Sequence, residues 1–208
     1  NPGNGGQEQI DLESTANFAG ATADTMDFLA GVARTDADDR LSTAANDIVV
    51  QYYWKTGDAG SSFTGGSLGD KLVGGLGNDT LSGAAGNDTI TGGAGNDQIA
   101  LGAGADILIL NSLVGVDSVT DFNAGEDAIR LSKTAMAALG AAGALTAAEF
   151  VSGAGLTAGQ DASDRIVYNT TDGSLYYDAD GSGLGAAVQL ASFTNIPILT
   201  VTNFTVII

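Results

Sequence analysis

Hydrophobic positions recur every nine residues through the middle of the chain. Leu72, Leu81, Ile90, Ile99 and Leu108 each stand in the middle of a three-residue segment that follows a glycine-rich turn. A short β-strand whose middle side chain points inward accounts for this arrangement. Because two nine-residue units would make one coil, the pattern predicts a flattened spiral with a strand on each side.

The glycine-rich turns share one sequence pattern between residues 65 and 109. Its clearest unit is Gly74-Gly75-Leu76-Gly77-Asn78-Asp79-Thr80-Leu81-Ser82, and residues 83–91, 92–100 and 101–109 follow it. Residues 65–73 precede these units, with leucine and glycine exchanged before the aspartate. The aspartates of the five units are Asp70, Asp79, Asp88, Asp97 and Asp106. Aspartates two units apart are expected to stack on the same edge of the spiral.

The turns offer only oxygen atoms as metal ligands, from backbone carbonyl groups and aspartate carboxylates. Glycine permits backbone angles closed to other residues, so several carbonyl groups can converge on one point. Each aspartate adds a carboxylate at the end of the turn, and stacked carboxylates repel one another unless a cation lies between them. Oxygen-only ligands select calcium over softer metals.

Composition narrows the chemistry further. The 208 residues include 31 glycines, 25 acidic and 7 basic residues, for a net charge of −18, and no histidine or cysteine. Imidazole catalysis, histidine or cysteine metal sites and disulfides are therefore excluded within this chain. The charge argues against a nucleic-acid partner. The most apolar stretch, residues 134–151, is mostly alanine and glycine, so we expect no membrane-spanning segment.

The unit G-G-x-G-x-D-x-U-x, where U is a large apolar residue, resembles the RTX (repeats-in-toxin) calcium-binding nonapeptide. This resemblance implies several calcium ions bound between adjacent coils, with the five repeat aspartates as carboxylate ligands. It also implies backbone ligands from the turns. The turn residues concerned are Gly75, Gly77, Gly83, Ala84, Ala85, Gly86, Gly92, Gly93, Ala94, Gly95, Gly102 and Gly104.

The resemblance extends past the repeats. Residues 104–109, 117–122 and 125–132 are similar to the segment that follows the roll in serralysin-type C-terminal domains. There an aspartate before an Asp-Phe pair closes the last calcium site. Asp117 matches that place and Asp121 is a second candidate, while the alternative is that Asp117 only caps a turn.

The resemblance implies an all-β fold, a right-handed parallel β-roll with an antiparallel β cap and one or two short helices. We expect a linker and N-terminal extension at residues 1–45, the roll at 46–122 with its repeat core at 65–109, and the cap at 123–208. Within the cap, residues 131–140 and a capping box at Thr146–Glu149 predict the helices. The segments 166–169 and 174–178 flank Thr171-Asp172-Gly173 and predict a hairpin.

The expected function is calcium-gated folding outside a Gram-negative bacterium. The base-free, apolar C-terminus resembles a type I secretion signal, so the implied partner is the secretion transporter. An alternative is a calcium-dependent carbohydrate-binding or cell-surface adhesion module, of the adhesin or alginate-epimerase R-module type. No cluster of residues suggests catalysis, and any enzyme activity is expected in a domain upstream of this chain.

Four other features have alternative interpretations. Residues 45–50 and 56–64 resemble degenerate coils that begin the roll. The acidic run Asp36, Asp38 and Asp39 is either a further ligand set or a solvated loop. The segment 178–183 resembles half of an EF-hand loop, although a turn between strands is favoured because position twelve is glutamine. The aromatic residues 52–54 form either a carbohydrate-stacking surface or part of a strand.

Overall fold

The structure is a computed structural model and describes residues 60–208. The predicted N-terminal extension, the degenerate coil at 45–50, the acidic run at 36–39 and the aromatic segment 52–54 lie outside the described residues. So does the beginning of the unit at residues 56–64.

Among the described residues, eight short strands build the roll. They are β1 (Ser62–Thr64), β2 (Lys71–Gly75), β3 (Thr80–Ser82), β4 (Thr89–Gly93), β5 (Gln98–Ala100), β6 (Ile107–Leu110), β7 (Asp117–Val119) and β8 (Ala128–Ser132). The odd-numbered strands pair in parallel in one sheet and the even-numbered strands in the other. Leu72 pairs with Ile90, and Leu81 pairs with Ile99. The predicted coil of two nine-residue units is therefore confirmed.

The core lies between the two sheets. The middle residue of each repeat strand is fully buried, while its two neighbours are exposed or half-buried in most of the strands. These apolar side chains form one continuous cluster with those of the C-terminal region. The turns at the two edges of the spiral are thereby held in stacked rows.

The coils lengthen after the repeats. Ile99 pairs with Val119, and Leu108 pairs with Ile129, so these coils have 20 and 21 residues, as in the Asp97–Asp117 and Asp106–Asp127 contacts. The parallel ladder thus continues through β8 and does not stop at residue 122, where the sequence analysis placed the end of the roll. The extra residues are accommodated in the turns because the strand registers stay intact.

Six strands follow the roll. They are β9 (Gly143–Ala144), β10 (Phe150–Gly153), β11 (Ile166–Asn169), β12 (Ser174–Tyr177), β13 (Val188–Phe193) and β14 (Phe204–Ile207). The predicted hairpin is confirmed as the antiparallel pair β11 and β12, with Gly173 at φ 78° in its turn. β13 and β14 pair in parallel with β7 and β8, so the C-terminal strands form the next layer of each sheet. The remaining cap pairs are antiparallel, except β10 with β11.

The two predicted helices are wrong. Leu131 and Ser132 belong to β8, because they pair with Val206 and Ile207 of the C-terminal strand. The residues after them form turns closed by the Lys133 ammonium, which donates to carbonyls at residues 139 and 140. The Met136 N–H still donates to the Ser132 carbonyl with helical spacing, but backbone pairing and the Lys133 side chain prevent a longer helix.

The capping-box residues form one turn only. The Glu149 carboxylate accepts hydrogen bonds from the Thr146 N–H at 3.1 Å and from its hydroxyl at 2.7 Å, and the chain then enters β10. Within residues 60–208 the helical structure is a single 3-10 turn at Val201–Asn203. No helix in that part of the chain has the length and apolar character needed to cross a membrane.

Candidate metal sites

Close stacking of the turns explains their glycines. Gly75 and Gly93 have φ values of 109° and 104°, which favour glycine, and their backbones lie against each other in neighbouring coils. A Cβ atom on Gly93 would overlap the carbonyl oxygen of Gly75. The turns can therefore approach closely enough for one coil to offer its carbonyl groups to the next.

The repeat aspartates form two ladders along the edges of the roll. The backbone N–H of Asp79 donates to Oδ1 of Asp97 at 2.8 Å. On the other edge, the N–H of Asp88 donates to Oδ1 of Asp106 at 2.8 Å. All of the repeat aspartates are buried. The predicted stacking of aspartates two units apart is what the structure shows.

The second carboxylate oxygen of these aspartates is the clearest sign of a cation site. Oδ2 of Asp97 and Oδ2 of Asp106 are fully enclosed, yet neither accepts a hydrogen bond from the described residues. Each residue is 1% exposed. An ionised oxygen in such a place is costly unless a positive charge or a donor faces it. A bound cation would supply that charge.

Carbonyl oxygens converge on the same places. A Cβ atom on Gly65 would lie 2.6 Å from Oδ2 of Asp70 and 2.6 Å from the carbonyl oxygen of Gly83 in the next coil. These two oxygens are therefore within about 5 Å of each other, which one calcium ion with bonds of about 2.3–2.6 Å can span. Gly74 and Gly83 have the same pair of neighbours, an aspartate Oδ2 and a carbonyl of the next coil. The donor set suits a hard cation such as calcium.

The sites depend on backbone carbonyls more than on clustered acids. Among the described residues, no three carboxylates gather closely enough to form a metal cluster by themselves. The carbonyl oxygens at the second turn position already accept a backbone hydrogen bond. Gly75 O accepts the Ala94 N–H at 2.7 Å, and Ala84 O accepts the Ala103 N–H at 2.9 Å. The first-position carbonyl of Gly83 and its equivalents thus face the carboxylates most directly.

The remaining predicted turn residues lie in the same stacked rows. Gly102 lies one coil after Ala84 and packs against its backbone. Gly95 and Gly104 likewise approach the carbonyl groups of Gly77 and Gly86 in the preceding coils. Ala85 donates to the carbonyl of the preceding coil at 3.0 Å. Gly92 lies against Oδ2 of Asp97. Their assignment as individual ligands stays a prediction.

Asp117 extends the first ladder. Its Oδ1 accepts the Asp97 N–H at 3.3 Å, and its Oδ2 would lie 3.2 Å from a Cβ on Gly92. Burial, followed by the negative charge of Asp97, raises the pKa of Asp117 from 3.8 to about 8. Burial also raises the pKa values of Asp97 and Asp106. Without a cation, this edge therefore resists full ionisation.

Asp127, which the sequence analysis did not select, extends the second ladder. Its Oδ1 accepts the Asp106 N–H at 3.0 Å, and burial raises its pKa. It was missed because it stands 21 residues after Asp106 and the glycine pair that opens a full repeat turn is absent before it. The Gly125-Glu126-Asp127-Ala128-Ile129 sequence matches the G-x-D-x-U end of the repeat and is the signal that could have identified it.

The half EF-hand segment is a turn between strands. Oδ2 of Asp178 accepts the Gly159 N–H at 2.9 Å, and its Oδ1 accepts the Asp180 N–H at 3.3 Å. The segment follows β12 and leads to β13, in which Gln189 lies. The two oxygens of the Asp178 carboxylate therefore accept hydrogen bonds from backbone N–H groups, in agreement with the prediction of a turn between strands.

Comparison with known proteins supports a calcium site in the repeats. A family model described as the RTX calcium-binding nonapeptide repeat matches residues 64–99 and 73–108. Among solved structures, the chain is similar to the solution structure of the AlgE6R3 subunit from the Azotobacter vinelandii mannuronan C5-epimerase. That match has a TM-score of 0.44 and 21% identity, and covers 70% of this chain and 77% of the other. No curated protein matches the chain.

Proposed function

We propose that the chain is a calcium-dependent folding module of a type I secreted extracellular protein, because the RTX calcium-binding nonapeptide repeat model matches residues 64–99 and 73–108. In this proposal the chain itself has no catalytic activity. Its first partner is the secretion transporter, which receives the unfolded chain in a calcium-poor cytoplasm. Calcium outside the cell then completes the fold.

One observation carries the calcium-dependent folding. The enclosed Oδ2 atoms of Asp97 and Asp106 have no hydrogen-bond donor among the described residues, although each carboxylate is otherwise held by the ladder. Ionised at neutral pH, these oxygens oppose folding, since burial raises the pKa of both residues. Calcium binds the folded roll and not the unfolded chain, so its binding free energy becomes folding free energy.

Circular dichroism tests this proposal directly. At pH 7 the chain in EDTA is expected to give the spectrum of an unfolded protein, and millimolar calcium is expected to produce a β-sheet spectrum. Magnesium at the same concentration is the control, since it demands octahedral geometry with several waters and suits a carbonyl-rich site poorly. An identical β-sheet spectrum in EDTA and in calcium would refute the proposal.

The secretion part rests on the C-terminal tail. Residues 166–208 contain no lysine or arginine and end in Phe204-Thr205-Val206-Ile207-Ile208. In the folded chain Phe204 and Val206 are buried within the sheet. The transporter therefore has to read this tail before folding, which calcium-gated folding permits.

An export assay distinguishes the role of the tail in secretion from its role in the folded structure. A chain truncated after Leu199 loses both the tail and β14. A double variant in the strand that pairs with the tail, Ile129→Ala with Leu131→Ala, keeps the tail sequence and loses only the packing against it. We expect no export of the truncated chain and normal export of the double variant. Normal export of the truncated chain would overturn the secretion role.

A second candidate function is calcium-dependent carbohydrate binding, favoured by the outer face of one sheet. The neutral polar residues Ser62, Thr80, Gln98, Ser118 and Ser192 occupy matching positions on neighbouring strands. Neighbouring strands lie about 4.8 Å apart, so these side chains form a regular uncharged row.

Electrophoresis in gels that contain a neutral polysaccharide tests this second candidate function, because binding slows the migration of the protein. Gln98→Glu is expected to abolish this slowing, while Thr89→Glu on the other sheet is the control. Equal mobility with and without polysaccharide would eliminate this candidate.

A further inference from the structure

We propose that Asn195 and Asn203 couple calcium binding in the last repeat turn (residues 101–106) to docking of the C-terminal segment (residues 194–208). Both asparagines act through the connecting turn (residues 120–127), which joins β7 to β8. The inference rests on the proposed calcium-dependent folding, and it gives these two side chains a positioning role and not a ligand role.

Asn203 uses both ends of its side-chain amide. Its Oδ1 accepts the Thr200 N–H at 2.9 Å and the Thr200 hydroxyl at 3.2 Å. Its Nδ2 donates to the carbonyl oxygen of Ala124 at 2.9 Å, 79 residues earlier in the chain. The Asn203 side chain is buried, so the loss of this donor would leave the Ala124 carbonyl poorly compensated by water.

A second set of contacts holds the beginning of the connecting turn. Nδ2 of Asn195 donates to the Phe122 carbonyl oxygen at 2.9 Å, and the Thr194 hydroxyl donates to the Thr120 carbonyl oxygen at 3.4 Å. The fully buried Phe122 ring packs edge-on against Phe193, with the ring centroids 5.3 Å apart. The chain from β13 onward therefore follows the connecting turn from residue 120 to residue 124.

The connecting turn also contacts the last repeat turn. The Asp121 carboxylate accepts the Leu101 N–H at 2.7 Å and the Gly102 N–H at 3.0 Å. Oδ1 of Asp127 accepts the Asp106 N–H at 3.0 Å. The connecting turn is thus hydrogen-bonded to a predicted calcium-binding turn and to the C-terminal segment. Order imposed on it by one of them favours the other, and this effect is reciprocal.

Strand pairing does not hold the connecting turn by itself. β13 pairs with β7 as far as Val119, and β14 pairs with β8 from Ile129 onward. The contacts of Asn195 and Asn203 fall between these two positions. They can therefore be removed without removing a strand pair, which makes the coupling accessible to mutation.

Hydrogen exchange followed by mass spectrometry over a series of calcium concentrations tests the coupling. Asn203→Asp keeps Oδ1 for Thr200, loses the donor to Ala124 and places a second oxygen against that carbonyl. In the wild type, β4 and β14 are expected to become protected at the same calcium concentration. In Asn203→Asp, the midpoint of β14 is expected about fivefold or more above that of β4, since coupling between protein sites is typically about 5-fold to 150-fold.

Asn169→Asp is the matched control. Asn169 is also buried, and its Oδ1 accepts the N–H groups of Gly155 at 2.8 Å and Thr171 at 2.9 Å, both within the cap. The same chemical change is thus made at a side chain whose Oδ1 contacts do not reach the roll. We expect the midpoints of β4 and β14 to stay equal in this variant.

A wild-type measurement covers the case in which Asn203→Asp does not fold in excess calcium. The side-chain amide protons of Asn203, followed by NMR, are expected to become protected over the same calcium range as the Asp106 N–H. Protection over two different ranges, or equal midpoints of β4 and β14 in Asn203→Asp, would overturn the inference. If the wild-type roll gains no protection with calcium, the proposed function fails instead.

Discussion

Asp97→Asn is expected to affect stability in opposite directions with and without calcium. Asp97 and Asp117 face each other at the end of one ladder, and Oδ2 of both lies near Gly92. While ionised, both carboxylates are acceptors only. Asparagine keeps the Oδ1 that holds the Asp79 N–H at 2.8 Å, and its amide group can donate to Asp117. The variant thus removes the repulsion and one ligand together.

The two effects have opposite signs. Burial and then Asp97 raise the pKa of Asp117 from 3.8 to about 8. Such a shift corresponds to about 4 kcal/mol of destabilisation at pH 7. Since the charge of Asp97 is the second cause of the shift after burial, its removal should recover part of this destabilisation. In calcium, loss of one site should cost about 2.7 kcal/mol at a concentration about 100 times the dissociation constant.

Two titrations followed by circular dichroism measure these effects. In EDTA, folding is driven by trimethylamine N-oxide, and Asp97→Asn is expected to fold at a lower concentration than the wild type. In about 10 mM calcium, its urea midpoint is expected to fall. Asp172→Asn, an exposed turn residue whose Oδ1 accepts the Ser174 N–H at 3.0 Å, is the control and should change neither. A shift of the same sign under both conditions would refute the reasoning.

Three further predictions concern protonation, the turns and the C-terminal strand. In EDTA, the β-sheet signal should grow as the pH falls from about 8 to 4. The pKa of Asp117 is raised from 3.8 to about 8 in the folded chain, so protonation of Asp117 stabilises the fold fully below pH 3.8, and this stabilisation is lost as the pH rises to about 8. A β-sheet signal that does not change with pH would contradict this prediction. Gly83→Ala should lower the free energy of unfolding in calcium, measured by urea titration, by about 1–3 kcal/mol, because its Cβ would overlap two oxygens of the site. Gly125→Ala, whose Cβ would make only an ordinary contact with Asn123 Oδ1 at 3.4 Å, should cost under about 0.5 kcal/mol. Phe204→Ala should cost about 3–5 kcal/mol in thermal unfolding, and half-buried Thr205→Ala far less; equal losses would argue against a buried strand.

The repeat core could be predicted from the sequence because each unit repeats all of its constraints. Glycine is required where coils touch, aspartate where the turn ends, and an apolar residue where the strand faces the core. The pairing of Leu81 with Ile99 and the ladder contact of Asp79 with Asp97 follow from that spacing alone. Strictly periodic segments of this kind leave little room for another register.

The end of the roll could not be predicted in the same way. Asp127 makes the repeat contacts from a turn that keeps only Gly125 of the repeat glycines, in a coil of 21 residues. The failed helix at residues 131–140 has a similar cause. Its alanines favour a helix locally, but Leu131 is already committed to pairing with Val206, from the far end of the chain. Contacts distant in sequence decided both cases.

Those distant contacts make the roll and the cap one folding unit. β13 lies between β7 and β12, and β14 lies between β8 and β9. β9–β12 therefore reach the roll through strands formed by the last 21 residues, Val188–Ile208. A roll without β13 and β14 would expose two strand edges and the apolar core of its last coil. Calcium bound in the turns should consequently stabilise the cap as well, and cap and roll should unfold in one calcium-dependent transition.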